Sequence, residues 1–339
     1  MQTFETLSFR GQLGRLRRLA EDALAEYPLQ RARLVPLTHS ENTTFRVDTP
    51  SGERYVLRIH RTTGSPFHPP RSMAEVRSET VWISALRRDT GLAVPEPVPT
   101  ADGSLLTVTE AEGVPAPRVC VLFRWGPGRF LDAGLTTWHL ERVGRFIARL
   151  HDQALDFAPP AGFERWRIGD LTTEVTAYVA SAVGGQFGSK AVSIVEAVMD
   201  LVQHARQELG TGPDVFGLIH ADLHQENYLF HRGRVRAIDF DDCGWGHFVY
   251  DLAVTLSELR GRRDYAALRG GLLRGYRAVR PLPPGHERYL EVFHGLRLLQ
   301  LTLWFLEQRD HPAFSDWEAE ARDGLVDLRK LASRLASSP

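Results

Sequence analysis

The chain has 339 residues, 43% of them hydrophobic and 24% charged, with a formal net charge of −1. That length and apolar content suit one large or two ordinary folded domains and exclude a disordered chain. The balanced charge lacks the basic surplus with which nucleic-acid-binding proteins meet phosphates. In chain order, residues 10–27 read as an amphipathic helix, with Leu13, Leu16, Leu19 and Leu24 set among arginines and acids. Strand patterns follow at 33–37, 44–48 and 54–60, the last two flanking the turn signal Pro50-Ser51-Gly52. In the third strand Tyr55, Leu57 and Ile59 alternate with Val56 and Arg58, so Arg58 lies on the face opposite Leu57. A proline-rich loop with Pro66, Pro69 and Pro70 leads to a helix over 72–89, striped by Val76, Thr80, Ile83 and Leu86. Two further strands are expected at 104–109 and 118–124.

The run Trp125-Gly126-Pro127-Gly128 breaks this β-rich pattern and marks a boundary between lobes 1–124 and 125–339. Beyond it helices are expected at 137–152, 192–209, 250–259, 265–279, 286–308 and 316–336, around one β-like island at 216–242. The layout is α+β and bilobal. No apolar run reaches the ~20 residues of a membrane span. The nearest, Leu298 to Leu306, is interrupted by Gln300 and preceded by Arg297. Glu5 stands early in an N-terminus without an apolar signal core, and Cys120 and Cys243 are too few for a disulfide framework or zinc site. The expectation is a cytoplasmic protein, monomer or homodimer, with no membrane or nucleic-acid partner.

The island carries the chemistry. It reads Leu218-Ile219-His220-Ala221-Asp222-Leu223-His224-Gln225-Glu226-Asn227, turns at Arg232-Gly233, and returns through Ile238-Asp239-Phe240-Asp241-Asp242. Phosphoryl transfer needs such a set: one carboxylate to orient a hydroxyl and take its proton, an amide oxygen and a second carboxylate to bind Mg²⁺. The hairpin returns Asp239 to the side of Asn227. His220, Asp222 and His224 also alternate, as in some metallohydrolases, but further ligands at metal spacing are missing. His224 reads as a packed loop residue and His151 as structural.

This pattern, His-x-Asp-x-x-x-x-Asn followed by Ile-Asp-Phe-Asp and then Tyr250-Asp251-Leu252-Ala253, resembles the aminoglycoside phosphotransferase/choline kinase-like superfamily, which shares the protein-kinase fold. The resemblance runs from Arg33 to about Pro312. It implies Asp222 as catalytic base, His220 as a brace of the loop, Asn227 and Asp239 as metal ligands, and Asp251 as an anchor of the loop backbone. Asp241 would either reach the metal or order the loop. In the small lobe Arg58 stands where the family places a phosphate-gripping lysine, with Glu79 as ion-pair partner and Glu75 as the competing candidate. The nucleotide-covering loop would be 38–43, without glycine, so that Ser40 and Asn42 serve the phosphates. The segment 120–125, centred on Phe123, would be the hinge that recognises adenine.

Two departures stand out. Gln225-Glu226 replaces the family's frequent Pro-Gly, and arginine replaces lysine at position 58. The second follows from composition, since all but two of the 41 basic residues are arginine, the exceptions being Lys190 and Lys330. Arginine keeps the charge and adds a planar fork. The implied activity is transfer of a γ-phosphate from ATP or GTP, with Mg²⁺, to a hydroxyl of a small amine-bearing or aminoglycoside-like acceptor. The alternatives are a stress-response-type Ser/Thr protein kinase and a nucleotide-binding pseudokinase. Residues 298–312 lean towards the homoserine-kinase-like and stress-response branch. Between Glu307 and Asp327 seven acids face two arginines, a face suited to a cationic acceptor, and Trp245, Trp304 and Trp317 are candidate walls for it.

Overall fold

The computed structural model describes residues 3–29, 31–132, 134–311 and 314–336, so the expected end of the resemblance at Pro312 lies outside them. The first helix, α1 (Phe9–Leu24), is capped by the Ser8 side chain, which accepts from Gly11 N, and buries Leu16, Leu19, Ala20 and Ala23. Five antiparallel strands follow: β1 (Arg33–His39), β2 (Thr43–Asp48), β3 (Arg54–Ile59), β4 (Thr107–Thr109) and β5 (Arg118–Arg124), in the order β1-β2-β3-β5-β4. Alternation along β5 divides its side chains. Cys120 and Leu122 join Phe45, Leu57 and Ile59 in a core under α1, while Val121 and Phe123 join the main core with α2 (Met73–Thr90). Arg58 pairs in register with Val121 and so lies on the α2 side, opposite Leu57. Both faces of the sheet are covered, which leaves this arginine buried.

The remaining part is mainly helical: α3 (Thr137–Asp156), α4 (Thr173–Phe187), α5 (Ser189–Leu209), α6 (Phe248–Ser257), α7 (Tyr265–Arg277), α8 (Tyr289–Glu307) and α9 (Trp317–Ala336). Helices α3 and α7 approach so closely that a Cβ on Gly275 would lie 1.9 Å from Glu141 O. Helix α4 is absent from the sequence expectation, because only Val179 and Val183 are buried on it and Gly184-Gly185 interrupts its pattern. The expected helix over 286–308 begins as a 3₁₀ turn at His286–Arg288. The island is also more divided than expected. It forms two ladders, β6 (Phe216–Ile219) with β9 (Gly244–His247) and β7 (Tyr228–His231) with β8 (Arg234–Ala237). The four-residue β9, Gly-Trp-Gly-His, is too short to give a periodic signal. No helix among the described residues is long and apolar enough to cross a membrane.

Candidate active site

Strand β6 stops at Ile219, and the chain then turns through Ala221 at φ 68°, a left-handed conformation that a non-glycine residue seldom adopts. Asp251, fully buried in the first turn of α6, supports this turn. Its carboxylate accepts from His220 N (3.0 Å), Ala221 N (2.7 Å) and the His151 ring (3.0 Å). His220 Nε2 bonds Ile238 O at 3.0 Å and its ring lies 4.4 Å from that of Phe240, tying the loop to the returning strand. Burial lowers the His220 pKa and keeps the ring neutral. The turn also ends the strand alternation, so His220, Asp222 and His224 do not form a ligand triad. Among the described residues the cluster with convergent ligand atoms is instead His60, Glu79 and Asp241.

Asp222 is the meeting point of the loop. Asn227 Nδ2 donates both to its carboxylate Oδ2 (2.7 Å) and to its carbonyl (2.8 Å), while Arg297 of α8 ion-pairs with Oδ1 at 2.7 Å. Burial works against ionisation here, but Arg297 and then His224 outweigh it and hold the carboxyl well below the usual range. His224 is not merely packed. It bridges Asp222 (3.6 Å) and Glu258 (2.8 Å), and although burial opposes its charge the two acids raise its pKa to about 10. The stabilisation from this imidazolium is complete below the ordinary histidine value of 6.5 and is lost as pH rises through about 10. The melting temperature is therefore expected to fall between pH 7 and pH 10. His224→Gln should flatten that slope, and an unchanged slope in differential scanning calorimetry would refute the pairing.

Asp239 follows β8 at φ 56°, which turns its carboxylate out of the hairpin. Its side chain is 52% exposed and accepts from Arg58 Nη1 at 3.2 Å. Loss of hydration in the cleft nevertheless pushes its pKa up to about 7, against the pull of Arg58 and with help from Asp241, Asp222 and Glu79. Oxygen donors crowded until one holds a proton near neutrality suit a hard divalent cation. Arg58 also pairs with Glu79 of α2, the two side chains being 5% and 1% exposed. Glu75 is spent elsewhere, in a capping box with Ser72.

Asp241 has partners of its own. It accepts from Asn42 Nδ2 (3.0 Å) and lies 3.3 Å from His60 Nδ1. The other end of the Asn42 amide accepts from Arg61 N at 3.1 Å, so this side chain joins the β1–β2 loop to the β8–β9 loop. Ser40, by contrast, is exposed. In the 120–125 segment the Phe123 ring lies beneath the Arg58 guanidinium at 5.1 Å. Leu122 O receives Val98 N, Arg124 N reaches Glu96 O, and Trp125 N reaches Arg54 O, so these hinge groups are used within the protein.

Several residues with a part in the site escaped the sequence reading. Arg165 donates to the carbonyls of Asp241, Cys243 and Glu75, and Trp166 Nε1 donates to Asp242 O (3.0 Å), fixing the backbone after Asp239. Because both residues grip backbone, their partners leave no side-chain pattern. Glu41, at the tip of the β1–β2 loop, is bonded by Trp304 of α8 and by Gln308 just past its end, and is paired with Arg61. Arg297 did have a signal: a lone charge between Leu296 and Leu298 in an apolar helix is buried and needs a partner. In the acidic stretch 307–327, several of the acids have partners within the protein. Glu307 bonds His68 and Tyr178, Glu318 pairs with Arg322, and Asp327 pairs with Lys330.

Residues 33–291 match the sequence profile of the phosphotransferase enzyme family. The chain belongs to that family. It is 32% identical over 300 residues to an uncharacterized protein of Deinococcus radiodurans, covering 85% of this chain and 81% of that one. It is 31% identical over 204 residues to a homoserine kinase of Neisseria meningitidis, a match spanning 59% of this chain and 61% of the kinase. The solved structure of a microcompartment-associated aminopropanol kinase superposes with a TM-score of 0.80 at 29% identity, covering 95% of this chain and 98% of that one. The fold is therefore the bilobal kinase-like α+β fold. The enzyme is a small-molecule kinase, a phosphotransferase with an alcohol group as acceptor.

Proposed function

We propose that the enzyme transfers the γ-phosphate of ATP to a hydroxyl of a small, amine-bearing acceptor, with Mg²⁺ bound by Asn227 and Asp239. The observation that carries the reading is the convergence of Asp222, Asn227 and Asp239 on one cleft beside the buried Arg58–Glu79 pair. Asp222, held ionised, orients the acceptor hydroxyl and receives its proton. Asn227 spends its amide nitrogen on Asp222 and keeps Oδ1 for a cation. When bound, Mg²⁺ neutralises charge on the nucleotide phosphates. Arg58, fixed by Glu79, grips the phosphates; Asn42 and His60 keep Asp241 in place, and Asp241 orders the loop rather than supplying a first ligand. Ser40 and the neighbouring backbone cover the phosphates, and the lobes 1–124 and 125–339 supply the nucleotide and acceptor sides. Two buried free thiols, Cys120 and Cys243, suit the reducing cytoplasm.

A small acceptor is favoured over a polypeptide because polar contacts close the cleft mouth. Glu41 meets Trp304 and Gln308, and His68 meets Glu307 at 2.9 Å. Binding is tested by thermal shift with Mg²⁺ and a non-hydrolysable ATP analogue. A stabilised wild type supports the reading, since a bound ligand raises stability by mass action; no shift at millimolar nucleotide refutes it. Arg58→Ala should weaken nucleotide use about tenfold or more, given the worth of a charge-assisted contact. Arg58→Lys should retain activity if charge alone matters and lose it if the fork between Glu79 and Asp239 is used. Nucleotide KM decides between them.

A further inference from the structure

The geometry points to Arg297 as the residue that receives a carboxylate on the acceptor, which makes the acceptor a hydroxy acid, and with an amine a hydroxy amino acid. This rests on Asp222 being the group that meets the acceptor hydroxyl. Arg297 is 8% exposed, and among the described residues its one carboxylate partner within ion-pair distance is Asp222, at 2.7 Å. Its Nε is buried without a hydrogen-bond partner. It stands on the face of α8 that also carries Gln300 and Trp304, three and seven residues on, which meet Tyr250 and Glu41 respectively. That face runs from the catalytic loop to the tip of the β1–β2 loop.

Two of the acids near Asp222 have cation partners of their own. Asp242 is paired with Arg71 at 2.7 Å and Glu258 with His224 at 2.8 Å. Arg297 and His224 share Asp222, so an ammonium group brought to this spot would meet two cations. When Asp222 takes the hydroxyl and then its proton, Arg297 loses its counter-ion while still buried, and a buried unpaired charge is costly. A carboxylate on the acceptor restores the pair in the same step, and a guanidinium presents the planar donor fork that a carboxylate fits.

The test uses acceptor pairs that differ only in the carboxylate: L-homoserine with 3-aminopropan-1-ol, and L-threonine with 1-aminopropan-2-ol. Acceptor affinity is read by thermal shift with Mg²⁺ and a non-hydrolysable nucleotide, and acceptor KM by phosphate transfer from ATP. The wild type should favour the acid of at least one pair by about tenfold or more, the scale of a lost buried charge pair. Arg297→Gln should erase that preference, and Arg297→Lys should keep part of it. The nucleotide-induced shift reports whether Arg297→Gln is folded; if it is not, Arg297→Lys carries the comparison. Equal treatment of both members of each pair, preference for the amino alcohol, or an unchanged preference in the variants overturns the inference. A uniform fall of kcat with both members would make Arg297 a positioning residue for Asp222. Failure of the phosphotransfer reading looks different: no phosphate leaves ATP with any acceptor.

Discussion

Asp222→Ala is expected to lower kcat by at least ~10² while leaving nucleotide affinity nearly unchanged, the size of effect that a positioned general base contributes. Asp222 touches Asn227, Arg297 and His224, whereas the Arg58–Glu79 pair, the proposed grip on the nucleotide, makes no contact with it. The alanine variant also removes the carboxylate paired with the buried Arg297, which disturbs the loop and adds to the activity loss. Asp222→Asn disturbs the loop less, because it keeps the side-chain volume and an acceptor for Asn227, although it too removes the charge that faces Arg297. Both variants should show the wild-type thermal shift with Mg²⁺ and nucleotide. Wild-type turnover in Asp222→Asn would remove this residue from the chemistry.

Asp251→Ala is expected to cost about 3–5 kcal/mol of folding stability, the scale for breaking a buried, fully bonded charge. Three donors lose their acceptor together: His220 N, Ala221 N and His151 Nε2. Two of them are backbone groups at the left-handed turn before Asp222, so activity should fall with stability even though Asp251 contacts no substrate. Urea unfolding checks the first effect and kcat the second. A loss below about 1 kcal/mol, the worth of a single ordinary hydrogen bond, would mean that the turn at Ala221 is held by something else.

Much of the site was legible because its chemistry is local in sequence. Asp222, Asn227 and Asp239 fall within one loop and one hairpin, and the strand–loop–strand pattern is enough to bring them together. The Arg58–Glu79 pair was legible through the family resemblance, which puts a cation on the third strand and its partner on the next helix, and the capping box at Ser72 explains why Glu75 is not the partner. What stayed hidden is long-range. Arg297 reaches Asp222 across 75 positions only because α8 packs on α6, and Asn42 reaches Asp241 only because the two lobes meet. No spacing rule encodes such contacts. Helix α4 stayed hidden for another reason: its burial is slight and its composition favours neither helix nor strand.

The most direct measurement of the central claim is transfer of radiolabelled γ-phosphate from ATP, with wild type and Asp222→Asn side by side over a panel of amino alcohols and hydroxy amino acids. Label is expected in a small phosphorylated product with the wild type and almost none with the variant. Label appearing in polypeptide, no transfer to any acceptor by a wild type that binds nucleotide, or equal transfer by both proteins would contradict it.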